Sequence, residues 1–298
     1  MQQEIVAVED SLFTIQPVWC SFQGVTCGNL SGRSSYARVL EINLEKSSLI
    51  GSLPSSIGNF ENLTLFDVST NEIYGTVPST ITRMRSARKI NLRTNSFDGS
   101  IPSSIGNFKY LQYIDLSFNS LTGILPSSMG QLTLLQFLDL NFNSLTGTLP
   151  NSLARLTRLT SLDLSTNYFG GTIPSVLTTF TLLKVLNLYY NTFIGTIPYN
   201  IGQLKRLEQL GLHINLLSGT VPPGFSKLKA LADLDLHQNY LTMGSSLRLN
   251  ASTFSNTTLA GLFNISMNCL VFVSPVYPQR NANATHCPPP SRKLVKLN

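Results

Sequence analysis

Two histidines stand at a spacing that could bring them together on one surface. His213 and His237 are separated by 24 residues, and Asp233 and Asp235 lie just before the second histidine. Imidazole nitrogens and carboxylate oxygens can share a transition metal, and imidazole also titrates near neutral pH. Because no further histidine or cysteine stands near the pair, we predict no metal or other cofactor. We retain both histidines as candidate ligand-binding residues, with two solvated surface side chains as the alternative interpretation.

The four cysteines lie as two separated pairs, Cys20 with Cys27 and Cys269 with Cys287, one pair near each end of the chain. An even count in this placement predicts two disulfides that close the ends of the fold in an oxidising compartment. A zinc site would need clustered cysteine and histidine ligands, a spacing that the sequence does not show.

Six Asn-x-Ser/Thr sequons agree with passage through a glycosylating secretory pathway. They begin at Asn29, Asn62, Asn250, Asn256, Asn264 and Asn283. The first residues, MQQEIVAVEDSLFTI, contain no basic segment followed by a sustained apolar stretch, so no secretory signal is visible. The paired cysteines and the sequons together favour an extracellular or cell-surface glycoprotein.

Other chemistry is not visible in the sequence. It contains no GxSxG elbow, HExxH helix, phosphate-binding glycine loop or dinucleotide fingerprint, so we do not expect an enzyme. The net charge of +6 comes from scattered basic residues without a nucleic-acid-binding motif, which argues against a nucleic-acid partner. No apolar run approaches the roughly 20 residues that a membrane-spanning helix requires.

A strict internal repeat organises the chain. Asparagine recurs every 24 residues, at Asn71, Asn95, Asn119, Asn143, Asn167, Asn191, Asn215 and Asn239, and Ser47 stands one period earlier. Glycine lies four residues after this position from Gly51 to Gly219, and proline follows three residues later from Pro54 to Pro222. Self-similarity at a fixed period predicts a solenoid, in which each repeat buries its apolar surface against its neighbours.

One copy of the repeat reads LQYIDLSFNSLTGILPSSMGQLTL. It resembles the plant-type extracellular leucine-rich repeat, LxxLxLxxNxLxGxIPxxLGxLxx, and the match stays in register from about Leu40 to Leu241. The resemblance implies an α/β repeat fold, a leucine-rich repeat solenoid with a parallel concave β-sheet and disulfide-closed caps. The stretch WCSFQGVTC, residues 19–27, resembles the N-terminal cap of this family. We therefore expect an N-terminal cap (1–38), nine 24-residue repeats (39–244), a C-terminal cap (245–287) and a loose tail (288–298).

The stretch IDLSFN predicts which side chains of each strand face the core and which face outward. Ile114 and Leu116 would point into the core, while Tyr113, Asp115 and Ser117 would point outward. Equivalent residues of successive repeats would lie roughly 4.8 Å apart. The repeated asparagine would turn inward and bond to the backbone of the loop, which is a structural role. We interpret the outward, mostly acidic series at the position of Asp115 as serving the scaffold and solubility.

Aromatic residues at outward positions mark the candidate binding face. The residues are Tyr113 and Phe137 at one repeat position, Phe118 and Phe142 at another, and the adjacent pair Tyr189 and Tyr190 two repeats beyond Phe142. A polar gap of Ser161, Ser165 and Thr166 separates the two groups. Exposed aromatic rings on a rigid sheet are typical hot spots for peptides or sugars. The alternative is that the rings only cover one another and the neighbouring loops.

Two basic residues on the same face, Lys89 and Arg93, could dock an anionic group such as a peptide carboxylate, an acidic sugar or a sulfate. An ordinary solvated basic edge is the alternative. None of the sequons falls at an outward strand position, so glycans would leave this face open.

The resemblance and the outward aromatic residues together predict an extracellular recognition module that binds a peptide, glycan or protein on its concave face. The chain is similar to the ectodomains of plant receptor-like kinases and receptor-like proteins, which implies signalling with a co-receptor. One alternative is an inhibitor of a secreted polysaccharide-degrading enzyme, although such inhibitors carry more cysteines. Another is a structural binder of ice or a cell-wall polymer through a threonine ladder of Thr76, Thr148, Thr172, Thr196 and Thr220, which Ile124 interrupts.

Overall fold

The computed structural model describes residues 20–28 and 38–242. A ten-stranded sheet, called the long sheet below, runs along this part of the chain. Its strands are Val25–Gly28, Arg38–Asn43, Leu65–Asp67, Lys89–Asn91, Tyr113–Asp115, Phe137–Asp139, Ser161–Asp163, Val185–Asn187, Gln209–Gly211 and Asp233–Asp235. The first strand pairs antiparallel with the second. Every later pairing is parallel and sets equivalent residues of neighbouring repeats side by side.

A second line of strands follows the repeated asparagine. Ile50–Ser52, Glu72–Thr76 and Ser96–Asp98 form one parallel sheet, and Thr122–Ile124, Ser144–Gly147, Tyr168–Thr172, Thr192–Gly195, Leu216–Thr220 and Tyr240–Thr242 form another. The return path of each repeat contains a short 3-10 helix, at Ser55–Asn59, Ser79–Arg83, Ser103–Asn107, Ser127–Gln131, Asn151–Arg155, Ser175–Thr179, Tyr199–Gln203 and Pro223–Lys227. Each of these helices begins directly after a proline, whose fixed φ suits the start of a helical turn.

Apolar side chains fill the space between the strands and the 3-10 helices. In one repeat, Leu138 and Leu140 come from the long sheet, Leu145 from the second line of strands and Leu153 from the helix, and all four are 0% exposed. Burying a leucine side chain contributes about 1.5–3 kcal/mol. A single repeat leaves this surface open on two sides, so the stacking of repeats supplies the stability.

The repeated asparagine closes the loop between the two strands of each repeat. At Asn167, Oδ1 accepts a hydrogen bond from the backbone N–H of Leu145, 2.9 Å away in the preceding repeat. Its Nδ2 donates to the carbonyl oxygens of Leu140, Leu164 and Ser165 at 2.9, 3.2 and 3.1 Å. One buried amide therefore satisfies four backbone groups that would otherwise be unpaired, which agrees with the structural role expected of it.

Threonine and glycine interlock between neighbouring repeats on the second line of strands. Gly171 has a φ of +71°, a conformation that favours glycine. A Cβ atom built there would lie 2.6 Å from Cγ2 of Thr148. Thr172 meets Gly195 in the same way, at 3.0 Å. A β-branched side chain of one repeat thus covers the glycine of the next, which gives the threonine ladder a packing role.

The N-terminal end of the long sheet is covered as predicted. Cys20 and Cys27 form a disulfide, and Cys27 lies in the strand Val25–Gly28, which pairs antiparallel with Arg38–Asn43. This pairing gives hydrogen-bond partners to the backbone groups at the outer edge of Arg38–Asn43, which would otherwise be unpaired. The predicted solenoid with a parallel long sheet and a disulfide at its N-terminal cap is confirmed. The second predicted pair, Cys269 and Cys287, lies outside the described residues.

Candidate functional site

The turn after each strand of the long sheet changes which way the side chains face. The residue immediately before the repeated asparagine has a left-handed backbone conformation, with φ of +53° at Phe118, +49° at Phe142 and +52° at Tyr190. Consecutive side chains of a regular strand point to opposite faces, and a left-handed residue ends that alternation. Tyr189 and Tyr190 are consecutive, yet their rings meet edge to face with centroids 6.3 Å apart. The turn therefore brings both tyrosines to one surface.

The first aromatic cluster consists of two columns of rings, Tyr113 on Phe137 and Phe118 on Phe142. The rings of the first column are 4.3 Å apart and 3° from parallel, and those of the second are 4.5 Å apart and 11° from parallel. In-register parallel pairing of the strands sets these equivalent side chains face to face. The rings do cover one another, as the alternative interpretation proposed, but Phe142 remains 46% exposed. One face of this cluster is therefore open to a ligand.

The second aromatic cluster, called the tyrosine–histidine stack, consists of Tyr189, Tyr190, His213 and His237. Tyr189 stacks on His213 at 4.3 Å, and His213 stacks on His237 at 4.7 Å, with each pair 11° from parallel. Tyr190 meets His213 edge to face at 6.2 Å and is 52% exposed. The structure thus joins four of the predicted site residues into one continuous surface.

Gly211 makes room for the tyrosine–histidine stack. A Cβ atom built at Gly211 would lie 2.9 Å from Cδ1 of Tyr189 and 3.0 Å from Oδ1 of Asn187. Every other repeat carries aspartate or asparagine at this position, so the glycine allows the Tyr189 ring to lie close to the sheet. Gly211 was not among the predicted site residues, although this single break in the acidic series is a signal that could have identified it.

A row of buried acidic and amide side chains, called the acid floor, lies between the outward aromatic positions. Its members are Asp67, Asn91, Asp115, Asp139 and Asn187, which are between 2% and 8% exposed. Oδ1 of Asp115, for example, accepts hydrogen bonds from the backbone N–H and the hydroxyl of Ser117 at 3.0 and 2.6 Å. These internal hydrogen bonds agree with the scaffold role expected of the series, whereas burial of these residues argues against a role in solubility.

Asp139 carries the largest upward shift in the acid floor. Burial, together with repulsion from Asp115 and Asp163, raises the pKa of Asp139 to about 7. The backbone N–H of Asn141 and the charge of Arg93 oppose this rise but do not cancel it. The Asp139 carboxyl group therefore takes up a proton at a much higher pH than an ordinary aspartate does.

Lys89 is already paired with a buried carboxylate. Its Nζ lies 2.9 Å from Oδ2 of Asp67 and 5.3 Å from the centroid of the Tyr113 ring. Burial by itself would raise the pKa of Asp67, but hydrogen bonds from Ser69, Lys89 and Asn91 outweigh burial and hold the pKa below its ordinary value. Lys89 therefore lies at the end of the column of Tyr113 and Phe137, and its charge is already paired with Asp67.

Arg93 has the same arrangement at the end of the second column. Its Nη1 donates to Oγ of Ser117 at 3.2 Å and lies 3.8 Å from Oδ2 of Asp115 and 3.9 Å from Oδ2 of Asp139. The guanidinium carbon is 4.7 Å from the centroid of the Phe118 ring. An anionic ligand would have to compete with these carboxylates, which favours a supporting role for both basic residues over an anion site.

A single polar repeat separates the two aromatic clusters. It contributes Ser161, Ser165 and Thr166 where its neighbours carry larger side chains, and Ser165 is fully buried. On either side of it, the Oδ1 atoms of Asn141 and Asn187 are buried without a hydrogen-bond partner among the described residues. The gap is therefore narrow, polar and rich in acceptor atoms.

Asp235 lies between the two histidines of the tyrosine–histidine stack. Its Oδ2 is 3.4 Å from Nδ1 of His213, and its Oδ1 is 2.5 Å from Nδ1 of His237. One potential metal-ligand atom from each of the three residues lies within 4.8 Å of the other two. Burial lowers the pKa of His213 against the opposing charge of Asp235. The structure thus brings a carboxylate to the predicted histidine pair.

Known proteins share this architecture. The family model described as leucine rich repeat matches residues 85–145 and 109–169, and a second leucine rich repeat model matches residues 182–204. The ectodomain of the receptor kinase GASSHO1/SCHENGEN3 from Arabidopsis thaliana, solved in complex with CASPARIAN STRIP INTEGRITY FACTOR 2, is 36% identical, with a TM-score of 0.73. The match covers 76% of this chain and 26% of that chain. The chain is a plant-type leucine-rich repeat protein.

Two further solved structures resemble this leucine-rich repeat protein. The Arabidopsis receptor kinase HAESA, in complex with the peptide hormone IDA and the co-receptor SERK1, is 27% identical with a TM-score of 0.60, and the match covers 75% of this chain and 49% of that chain. A plant ice-binding protein is 26% identical with a TM-score of 0.63, and the match covers 75% of this chain and 71% of that chain. This repeat protein spans between a quarter and a half of the two receptor chains. No curated protein matches its sequence.

All ten predicted ligand-binding residues of the leucine-rich repeat protein lie on the outer face of the long sheet or in the turns beside it. Their role in binding stays a prediction, as do the domain boundaries and the absence of enzymatic activity. Asn62 lies in a turn away from the strands of the long sheet, whereas the predicted glycosylation sites Asn29, Asn250, Asn256, Asn264 and Asn283 lie outside the described residues. Across residues 20–28 and 38–242, no helix has the length and apolar character needed to cross a membrane.

Proposed function

We propose that this leucine-rich repeat protein is an extracellular or cell-surface recognition module that binds a peptide segment on the outer face of its long sheet. The observation that carries the proposal is the pair of ordered aromatic clusters that flank one polar gap. Support also comes from the similar receptor kinase HAESA, which was solved with a peptide hormone and a co-receptor. Because that complex also contains a co-receptor, we further propose that this protein signals together with a co-receptor.

The gap has the size of one inserted side chain. Phe142 and Tyr190 occupy equivalent positions two repeats apart, so their strands are separated by about 10 Å at a spacing of about 4.8 Å per strand. A flat group between two rings needs about 3.5–4 Å of contact distance on each side. Both rings are substantially exposed, at 46% and 52%, so a planar side chain of a ligand can contact both. Because the rings are already held by their neighbours, little conformational entropy is lost on binding.

The floor of the gap favours hydrogen-bond donors. Asp163 is only partly buried there, and its Oδ1 accepts from the backbone N–H and hydroxyl of Ser165 at 2.9 and 2.6 Å. Its Oδ2 accepts from Nδ2 of Asn187 at 2.8 Å, which leaves further lone pairs on the carboxylate. Asp139 lies in the adjacent strand. An N–H-donating or cationic group therefore fits this floor, and the guanidinium of arginine combines donors with a flat surface.

Replacement of the exposed rings tests the proposal. A peptide selected on the wild-type protein from a displayed random library should bind Tyr190→Ala and Phe142→Ala at least tenfold more weakly, a loss of about 1.4 kcal/mol or more for each ring. Tyr199 is a matched control, because it is 73% exposed but lies in a 3-10 helix away from the long sheet. Tyr199→Ala should leave the affinity unchanged. Selected peptides that lose no affinity on Tyr190→Ala and Phe142→Ala would contradict the proposal.

A binder of ice is a second candidate function, because two observations favour it. A plant ice-binding protein is similar over 75% of this chain. Thr148, Thr172, Thr196 and Thr220 are all exposed at one repeated position, which is the last residue of a strand in the second line or the residue directly after it. Their contacts with the glycines of following repeats already explain why threonine occurs there, so we rank this function second. Ice-recrystallisation inhibition that Thr172→Tyr abolishes and Tyr190→Ala leaves intact would reverse the ranking.

A further inference from the structure

We propose that His213, Asp235 and His237 bind one divalent transition metal ion, such as Zn²⁺ or Ni²⁺, on the outer face of the long sheet. One potential ligand atom from each residue lies within 4.8 Å of the other two. Nitrogen and carboxylate oxygen bind Zn²⁺ at about 2.0–2.2 Å, which sets ligand atoms about 3–3.5 Å apart around the ion. The separation of 3.4 Å between Nδ1 of His213 and Oδ2 of Asp235 already lies in this range. The contact of 2.5 Å between Nδ1 of His237 and Oδ1 of Asp235 is a short hydrogen bond, which the ion would replace.

His213 supplies a second observation that points to a partner. Its Nδ1 atom is buried and forms no hydrogen bond with the described residues, although Oδ2 of Asp235 is 3.4 Å away. A buried polar atom without a partner is uncommon, since leaving it unpaired costs about 1–3 kcal/mol. An ion between His213 and Asp235 would be a partner for both side chains.

The fold holds the three residues together before any ion binds. His213 and His237 follow the neighbouring strands Gln209–Gly211 and Asp233–Asp235, which pair in parallel and in register. The two rings lie 4.7 Å apart and nearly parallel. Because the nitrogen lone pairs lie in the ring planes, both imidazoles must rotate about their side-chain bonds before the two nitrogens can meet at one ion. Tyr189 stacks on His213 and limits its movement away from His237.

The composition of the site selects the class of ion. Two imidazoles with one carboxylate suit Zn²⁺, Ni²⁺ or Cu²⁺, whereas Ca²⁺ and Mg²⁺ prefer oxygen ligands. Gly211 occupies the position equivalent to Asp235 in the preceding repeat, so the site contains one carboxylate there and not two. Three protein ligands leave at least one coordination position for water or for a group of a bound partner. The proposal needs only these three side chains and is independent of peptide binding.

Titration of the metal-free full chain with Zn²⁺ tests the site, with calorimetry for affinity and imidazole NMR for location. The chain has 3 histidines, which allows each resonance to be followed. We expect one equivalent of Zn²⁺ to shift the resonances of His213 and His237. His213→Ala and His237→Ala should each lower the affinity at least tenfold, and Asp235→Asn should also weaken binding. His286→Ala is the matched control and should leave the affinity unchanged.

A different set of results would overturn the proposal. If Asp235 and His237 form only a hydrogen-bonded pair, one equivalent of Zn²⁺ produces no imidazole shift at His213 and His237. Zn²⁺ binding of unchanged affinity in the double variant His213→Ala/His237→Ala would place the ion elsewhere. Circular dichroism verifies that each variant is folded, and His213→Gln provides a bulkier replacement with the same expected loss of affinity. Mg²⁺ in the same titration should produce no shift, and an equal response to Mg²⁺ would contradict the assignment to transition metals.

Discussion

Replacing Asp139 with asparagine should stabilise the protein at pH 8 and have a smaller effect at pH 5. Asp139 is 6% exposed, and burial with repulsion from neighbouring carboxylates raises its pKa from the ordinary 3.8 to about 7. Asparagine is nearly the same size, and its Oδ1 can still accept the hydrogen bond from the backbone N–H of Asn141, which is 2.9 Å long in the wild-type protein. The substitution therefore removes a buried charge and retains this hydrogen bond, but it loses the longer bond of 3.3 Å that Oδ2 accepts from Nδ2 of Asn141 and the contact of Oδ2 with Arg93.

The expected free energies follow from the pKa of Asp139 in the folded and unfolded states. Above pH 7 the carboxyl is ionised in both states, and a difference of about three pKa units corresponds to about 4 kcal/mol of destabilisation of the wild-type protein. As the pH falls below 7, the folded state takes up a proton before the unfolded state does, so wild-type stability rises. At pH 5 about 1–2 kcal/mol of the penalty remains. The advantage of Asp139→Asn over wild type should thus shrink by roughly 2–3 kcal/mol between pH 8 and pH 5.

Urea denaturation followed by circular dichroism at pH 5, 6, 7 and 8 measures this difference. Asp67→Asn is the matched control, because hydrogen bonds hold the pKa of Asp67 below its ordinary value despite burial. The Asp67 carboxylate is ionised throughout this pH range and its stabilising contribution is lost only as the pH falls through the lowered pKa, so Asp67→Asn should destabilise the protein at all four pH values. An advantage of Asp139→Asn that is equal at pH 5 and pH 8, or larger at pH 5, would refute the raised pKa of Asp139.

Three further predictions concern the scaffold and the aromatic clusters. Asn167→Ala removes four hydrogen bonds to backbone groups and should lower the free energy of unfolding by on the order of 3 kcal/mol in urea denaturation; a loss below about 1 kcal/mol would contradict the structural role. Gly211→Ala should displace the Tyr189 ring, which a Cβ atom would approach to 2.9 Å, and a crystal structure that retains the ring position would disprove the steric argument. Leu138→Ala, at a side chain that is 0% exposed, should cost about 2–5 kcal/mol, whereas Phe142→Ala should cost less than about 1 kcal/mol by the same assay. Similar losses for the last two variants would show that Phe142 serves packing.

The inward half of each repeat could be predicted residue by residue. Leu138 alternates with outward residues, and most other repeats carry leucine or isoleucine at the same position. Because these apolar residues share one period along the chain, stacking of the repeats is the one arrangement that buries all of them. Asn167 lies at a position where asparagine repeats without interruption, so a bond to the loop backbone was the simplest expectation. Cys20 and Cys27 lie close in sequence, and the structure joins them.

The outward half could be predicted only in part, because an outward position is not the same as an exposed one. Asp139 and Tyr113 both face away from the core, yet Asp139 is buried and Tyr113 is partly covered by Phe137. Neighbouring repeats lie only about 4.8 Å apart, so a large side chain on one repeat covers the small ones on the next. Gly211 shows the converse, since the absence of a side chain there decides where the Tyr189 ring lies.

The solenoid, the register of its repeats and the set of residues that can reach the outer face all follow from the sequence, because they depend on periodicity and on which side chains must leave water. Which of those residues touch one another depends on the tertiary structure. It stacked the aromatic rings into two clusters, buried the acid floor and placed Asp235 between two histidines. Such contacts depend on a left-handed turn before each asparagine and on side-chain volumes in neighbouring strands, which a one-dimensional pattern does not contain.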